Sequence, residues 1–154
     1  MKTFFILISF LFLTNEDVIH KDTRLQIDSN GNIIGLPKQF NPAKFDWNKK
    51  KLRIKNREVI FLKCMNYYFA QNKNTKLNLS ASWYHSKDIM PYYLNFNISD
   101  ESLNYGYTIS IDLETLELID INKSITKGNT TYNPKVELGK KCLTEYKKGI
   151  KILD

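Results

Sequence analysis

The sequence predicts an α+β fold: an antiparallel sheet of four main strands with one central and one C-terminal helix packed on it, preceded by a small N-terminal hairpin region. The first observation behind this is alternation. Leu77, Leu79, Ala81 and Trp83 are interleaved with Asn78, Ser80, Ser82 and Tyr84, and Tyr92, Leu94, Phe96 and Ile98 with Tyr93, Asn95 and Asn97. Tyr105, Tyr107, Ile109, Ile111 and Leu113 are likewise interleaved with Gly106, Thr108, Ser110 and Asp112. A period of two belongs to a sheet with one dry face. The second observation is that the connections, around Ser86-Lys87-Asp88 and Ser99-Asp100-Glu101, suit only antiparallel neighbours, because a parallel return needs a long crossover. The third is a change of period. Leu62, Met65, Tyr68 and Phe69 recur at three and four residues, predicting a helix over 62–71, and Leu138, Cys142, Tyr146 and Ile150 recur at four.

In chain order, Leu25-Gln26-Ile27 and Ile33-Ile34 flank Asp28-Ser29-Asn30-Gly31-Asn32, where Asn-Gly is the dipeptide best suited to the positive φ of a hairpin turn. The oxygen spacing does not fit a calcium loop, and Gln39 stands where the last acidic ligand would be required. Pro37 and Pro42 interrupt the aromatic stretch from Leu36 to Trp47, so an irregular arm across the domain is expected there. Lys51–Ile54 and Val59–Phe61 bracket a second short hairpin. After the three alternating strands, Asp112-Leu113-Glu114-Thr115 reads as a turn and Leu116–Ile121 as a fourth strand. The phase of that strand slips between Leu118 and Ile119, which implies a bulge or two covered faces. Residues 123–134 read as a polar loop. The last helix carries Lys140, Lys141, Lys147, Lys148 and Lys151 beside its apolar stripe and is loosened by Gly149. The segment Ile109–Ile119 resembles the strand-turn-strand of small exported PepSY-like domains, with Leu116 where those domains usually carry glycine.

A chain of 154 residues, 42% hydrophobic, is one domain's worth and able to bury a core, so disorder is not expected. The formal charge of +7 is spread along the chain, and the one tight basic run, Lys49-Lys50-Lys51, is too short for a nucleic-acid arm. Lys2 is followed by an apolar run from Phe4 to Leu13 and then by polar Thr14-Asn15-Glu16-Asp17. That is the pattern of a secretory leader or short anchor over residues 1–14, since a spanning helix needs about twenty residues. Residues 20–154 then form a single domain, and the protein is expected to be exported to a periplasmic, cell-envelope or extracellular location. Cys64 and Cys142 are the two cysteines. In an exported chain they are expected to pair.

Catalytic and metal chemistry find little support. His20 and His85 are the two histidines; His85 has Ser86 and Asp88 near it in sequence but sits beside a predicted turn. No close pair of Cys and His ligands suggests a metal, and no glycine-rich turn between strand and helix suggests a bound phosphate or nucleotide, so no cofactor is expected. Asp112, Glu114, Glu117 and Asp120 fall on the wet side of a hairpin. Sequons at Asn78, Asn97, Asn122 and Asn129 arise readily in an asparagine-rich chain and are not taken as glycan sites. The least ordinary feature is the density of aromatic residues expected around one end of the sheet, Trp83, Tyr84, His85, Tyr92, Tyr93, Tyr105 and Tyr107, among which Trp83, Tyr84, His85 and Tyr93 are the candidate binding residues. The expectation is a non-catalytic exported domain that binds another protein, as an inhibitor or a toxin-immunity protein does. A small envelope hydrolase centred on His85 is one rival. The other is a structural or surface-binding envelope module, with membrane association through the N-terminal segment. If the leader reading is right, cell fractionation recovers the protein in the envelope or outside the cell; full-length protein free in the cytosol contradicts it.

Overall fold

The computed structural model describes residues 19–69, 75–85, 92–100, 105–127 and 129–154. In chain order these contain β1 (Ile19–Ile27), β2 (Ile33–Ile34), β3 (Ala43–Asp46), β4 (Lys51–Ile54), β5 (Arg57–Ile60), β6 (Thr75–His85), β7 (Tyr92–Asp100), β8 (Tyr105–Asp112), β9 (Leu118–Lys127), β10 (Thr130–Tyr132), helix α1 (Lys140–Lys148) and β11 (Lys151–Ile152). Lys38–Phe40 and Lys63–Phe69 are 3-10 turns. The fold is mostly β, and this corrects the expected α+β sheet of four strands and two helices. Among the described residues the strands form a seven-stranded sheet, ordered β10-β9-β8-β7-β6-β1-β2, and a four-stranded sheet, ordered β11-β5-β4-β3, in which neighbouring strands run antiparallel.

Each departure has a local cause. The N-terminal hairpin is not a separate region: β1 pairs with β6 over Ile19–Leu25 and so extends the main sheet. The expected irregular arm contains β3, whose alternation of buried Ala43 and Phe45 with exposed Lys44 is too short to stand out directly after Pro42. The expected central helix is a 3-10 turn. Leu62, Met65 and Tyr68 recur at three, the 3-10 repeat, with Met65 fully buried; residues 70 and 71 of the expected helix lie outside the described residues. The expected polar loop is the hairpin of β9 and β10. The C-terminal helix keeps Cys142 and Tyr146 buried but is over by Gly149, whose N–H caps the last turn on Glu145 and Tyr146, and Lys151 and Ile152 then pair with β5.

The phase slip read from the sequence is a bulge. Ser110 pairs with Asp120 and Ile111 with Leu118, which leaves Ile119 as the extra, exposed residue. Elsewhere the alternation holds. Leu79, Ala81, Leu94, Phe96, Ile109, Ile111 and Ile121 line the inner face of the large sheet, and Phe45, Leu52, Ile54 and Val59 line that of the small one. The faces meet at Phe96, whose ring lies 4.8 Å from Phe45 and 5.5 Å from Phe61, edge to face in both cases. The layers are also joined through the backbone, where Phe45 N–H donates to the Gly31 carbonyl at 2.8 Å and Asn32 bridges Lys44. Gly31 sits at φ 79°, and a Cβ there would stand 2.7 Å from the Phe45 oxygen, so the turn requires glycine on two counts.

The turn between β8 and β9 contains a strained residue. Leu116 has φ 60°, a conformation that costs a non-glycine residue about 1–2 kcal/mol. Its side chain is fully buried, its N–H donates to the Asp112 carbonyl, and its carbonyl accepts from the Tyr146 hydroxyl at 2.9 Å. The Tyr146 ring stacks on Phe61 at 6.0 Å, and burial pushes its phenol well above the usual range, so it stays a donor. A glycine would take this φ without strain; leucine adds apolar cover instead. Cys64 and Cys142 have their sulfurs at bonding distance and Cα atoms 6.2 Å apart, which ties the Lys63–Phe69 turn to α1. In the chain-entropy model, closing a loop of 78 residues is worth about 4.5 kcal/mol.

Tyr146→Phe is expected to lower the unfolding free energy by about 1–3 kcal/mol through loss of the buried hydrogen bond to Leu116. Leu116→Gly should be more stable than Leu116→Ala by about 1 kcal/mol, the reverse of the order in an ordinary strand. Denaturant titration of the three variants checks both.

Candidate functional site

The outer face of the large sheet is built from the second phase of the alternation. Register places Asn78, Asn97, Thr108 and Asn122 in one row across β6, β7, β8 and β9, and Ser80, Asn95, Ser110 and Asp120 in the next. Within these two rows Asp120 is the single charged residue. The short side chains are ordered by one another: Asn97 Nδ2 donates to Ser80 Oγ at 3.1 Å, Thr108 Oγ1 donates to Asn97 Oδ1 at 3.0 Å, and Asn95 donates to Ser82. Ser82 is thereby buried, and Asn95, Asn97, Thr108 and Ser110 are half-buried. Beside the rows Gly106 interrupts the surface and opens a shallow groove of about 310 Å³ flanked by Asn97, Thr108 and Ser124. A Cβ at Gly106 would lie 2.7 Å from the Ile98 carbonyl oxygen, so the close strand approach excludes any side chain there.

This geometry accounts for three of the sequons. Asn78 and Ser80, Asn97 and Ser99, and Asn122 and Ser124 each fall two residues apart on one face, and their asparagines share one row. Adjacent strands are about 4.8 Å apart, which leaves no room for three glycans side by side, and the Asn97 amide is engaged at both ends. The motif is the imprint of an Asn/Ser-rich sheet face.

Of the candidate binding residues, Tyr93 stands on this face, in register with Ser82 and Asp112, and is half-buried. Trp83, Tyr84 and His85 belong to β6, where their backbones pair with Lys21, His20 and Ile19, but their side chains lie outside the described residues. Of the aromatic group expected at one end of the sheet, Trp83, Tyr84, His85, Tyr92 and Tyr93 do share an end, and Tyr105 and Tyr107 do not. Tyr92 pairs with Trp83 at one end of β7 and Tyr105 pairs with Asp100 at the other, about 26 Å away at strand rise. Tyr107 is buried, with its ring 5.0 Å from Tyr68 and 5.6 Å from Tyr105, while Lys123 Nζ lies 5.0 Å over the Tyr105 ring. Tyr105 and Tyr107 therefore belong to the end of the core and not to a recognition surface.

A second concavity, of about 560 Å³, lies between the Asp28–Asn32 turn and the outer side of β3 and β4, with Lys44, Lys51, Arg53 and Trp47 in its wall. Its carboxylates are committed to backbone turns. Asp28 accepts from Asn30 N–H, Asn32 N–H and the Asn32 amide at 2.8, 2.8 and 2.6 Å, and Asp46 accepts from Lys49 N–H at 3.0 Å. The Asn32 side chain, its backbone N–H, that of Asn30 and the nearby Lys44 hold the Asp28 carboxyl below the ordinary aspartate range. Lys51 is paired with Glu58 at 2.8 Å. Such a wall can hold a ligand by charge, but it offers no carboxylate poised for proton transfer. Among the described residues no three His, Cys, Asp or Glu side chains are placed to hold a metal ion, and no helix is long and apolar enough to cross a membrane.

Signals for the polar face were present in the sequence as the second phase of each strand, but its two-dimensional order required the register. No family model matches the chain, and no curated protein and no solved structure is significantly similar to it.

Because the folded Asp28 carboxyl titrates below its unfolded counterpart, its contribution to the turn is present above the ordinary aspartate value of 3.8 and is lost as pH falls through the lower folded value. The amide signals of Asn30 and Asn32 in an NMR pH titration should therefore move together with a midpoint below 3.8, and Asp28→Asn should abolish that transition.

Proposed function

We propose that this chain is a non-catalytic, exported binding protein that engages another protein in the manner of an inhibitor or toxin-immunity protein, through the outer face of β6 to β9. The observation that carries this reading is the four-strand-wide surface of Asn, Ser and Thr side chains, nearly free of charge and already ordered by mutual hydrogen bonds. Interface centres are depleted in charged residues, and burying short, pre-ordered side chains sacrifices little rotamer freedom. Tyr93 supplies an aromatic anchor at the margin of the face, a residue type enriched among binding hot spots. The cysteine pair is compatible with an oxidising, exported setting.

The test begins with a photo-crosslinking residue at Asn97 or Thr108 in the living cell, and with Lys49 as the labelled control at a different surface. A partner captured from the face and not from the control is then purified for titration calorimetry. Tyr93→Ala combined with Asn95→Lys should weaken its binding by about 2 kcal/mol or more while leaving the unfolding transition in place. An unchanged affinity in this folded double variant rejects the face as the interface.

A further inference from the structure

The outer side of the small sheet is charged in a pattern that leaves two cations uncompensated. Register sets Lys44, Arg53, Glu58 and Lys151 in one row across β3, β4, β5 and β11, and Asp46, Lys51 and Ile60 in the next. Lys44 and Arg53 are thus directly opposite each other. Like charges at such positions, with Cβ atoms about 5 Å apart, destabilise a sheet. The nearest counterion by register is Glu58, the other cross-strand neighbour of Arg53, but its carboxylate is taken by Lys51 at 2.8 Å. Asp46 accepts from the Lys49 N–H, and both oxygens of Asp28 accept from Asn30 and Asn32 within its own turn. Among the described residues neither Lys44 nor Arg53 forms an ion pair, and both are exposed.

These two cations stand in the wall of the concavity of about 560 Å³ beside the Asp28–Asn32 turn, a volume within the range of small-molecule sites. Arg53 Nε donates to the Lys55 carbonyl at 3.2 Å, which steadies the guanidinium while its two terminal amino groups have no acceptor among the described residues. That edge of an arginine matches the paired oxygens of a carboxylate or a phosphate. Asn30, Asn48 and Trp47 add amide groups and an aromatic ring to the wall, and the Trp47 ring is set edge to face on Phe45 at 5.7 Å.

We propose that this concavity binds a small molecule through its oxyanion group, a phosphate or a carboxylate seated between Lys44 and Arg53. In the free protein the two cations repel; with an oxyanion between them each gains a counter-charge. The site lies on the other sheet from the proposed protein interface, so the two readings fail separately.

The test is titration of the full-length chain with inorganic phosphate and with acetate, against chloride at matched ionic strength, followed by NMR on the amide signals of Asn30, Trp47 and Asn48. At least one oxyanion should give saturable shifts that chloride does not, and the tighter of the two identifies the group the site prefers. Arg53→Gln and Lys44→Gln should each weaken that binding by about tenfold, and Arg53→Lys, which keeps the charge and loses the fork, should fall between. Lys151→Gln removes the same charge from the far end of the row and should stay within about twofold of wild type. Without oxyanion Lys44→Gln should melt no lower than wild type, since repulsion is relieved, and it should lose the oxyanion-dependent rise in melting temperature that wild type shows. Shifts no larger than those of chloride overturn the proposal, as does an equal loss in Lys151→Gln or a wild-type rise in melting temperature in Lys44→Gln.

Discussion

The contact of Phe96 with Phe45 and Phe61 is the constraint on which the rest of the molecule depends. An antiparallel sheet with one apolar face is soluble only when that face is covered. Here a second, smaller sheet does the covering, and its strands of two to four residues are too short to be stable alone. Each sheet therefore exists because the other shields it. The Gly31–Phe45 hydrogen bond and the Asn32–Lys44 bridge fix their relative position through the backbone. Losing a fully buried phenylalanine costs about 3–5 kcal/mol, so this junction matters more than any surface pair in the chain. The pair Lys147–Glu117, by contrast, is exposed on both sides and is worth at most about 1 kcal/mol.

Much of the large sheet was legible because its strands run for eight to eleven residues with clear alternation. Of the small sheet the β4–β5 hairpin was legible and β3 and β11 were not, since an alternation over four residues, as in Ala43–Asp46, carries little periodic signal beside prolines and aromatics. The 3-10 turn was misread because Leu62, Met65 and Tyr68, spaced by three, fit an α-helical pattern as well as a 3-10 one, and Phe69, four residues after Met65, tips the pattern toward the α-helix. The bulge, in contrast, was announced by the slip of phase at Ile119, and the hairpin turn by Asn30-Gly31. Leu116 shows the limit of local rules. Its carbonyl is held by a tyrosine thirty positions away, a partner that no reading of the turn alone would supply.

The candidate site was legible by half. Asn, Ser and Thr at every second position declared a polar face, but which residues adjoin across strands depends on register, and register follows from turn lengths that the sequence leaves loose. Tyr105 and Tyr107 were assigned to the wrong end of the sheet for the same reason. Tyr92 and Tyr105 both begin strands, and in consecutive antiparallel strands two beginnings lie at opposite ends. Counting back from the β7–β8 turn puts Tyr105 beside Asp100 and removes it from the neighbourhood of Trp83.

The outermost strands of both sheets have a consequence for behaviour at high concentration. The rims are β2 and β11 with two residues each, β10 with three and β3 with four, and β3 is further met by Asn32. A long, open rim is a template on which another chain can add strands, and proteins avoid that by keeping rims short, charged or bent. Here β10 is a run of polar residues and tyrosine, and β11 begins with Lys151. The exception is β1: beyond β6 only its Gln26 and Ile27 meet β2, so along Ile19–Leu25 no described strand lies on its outer side, and that stretch is the ladder on which a second molecule would add a strand at high concentration.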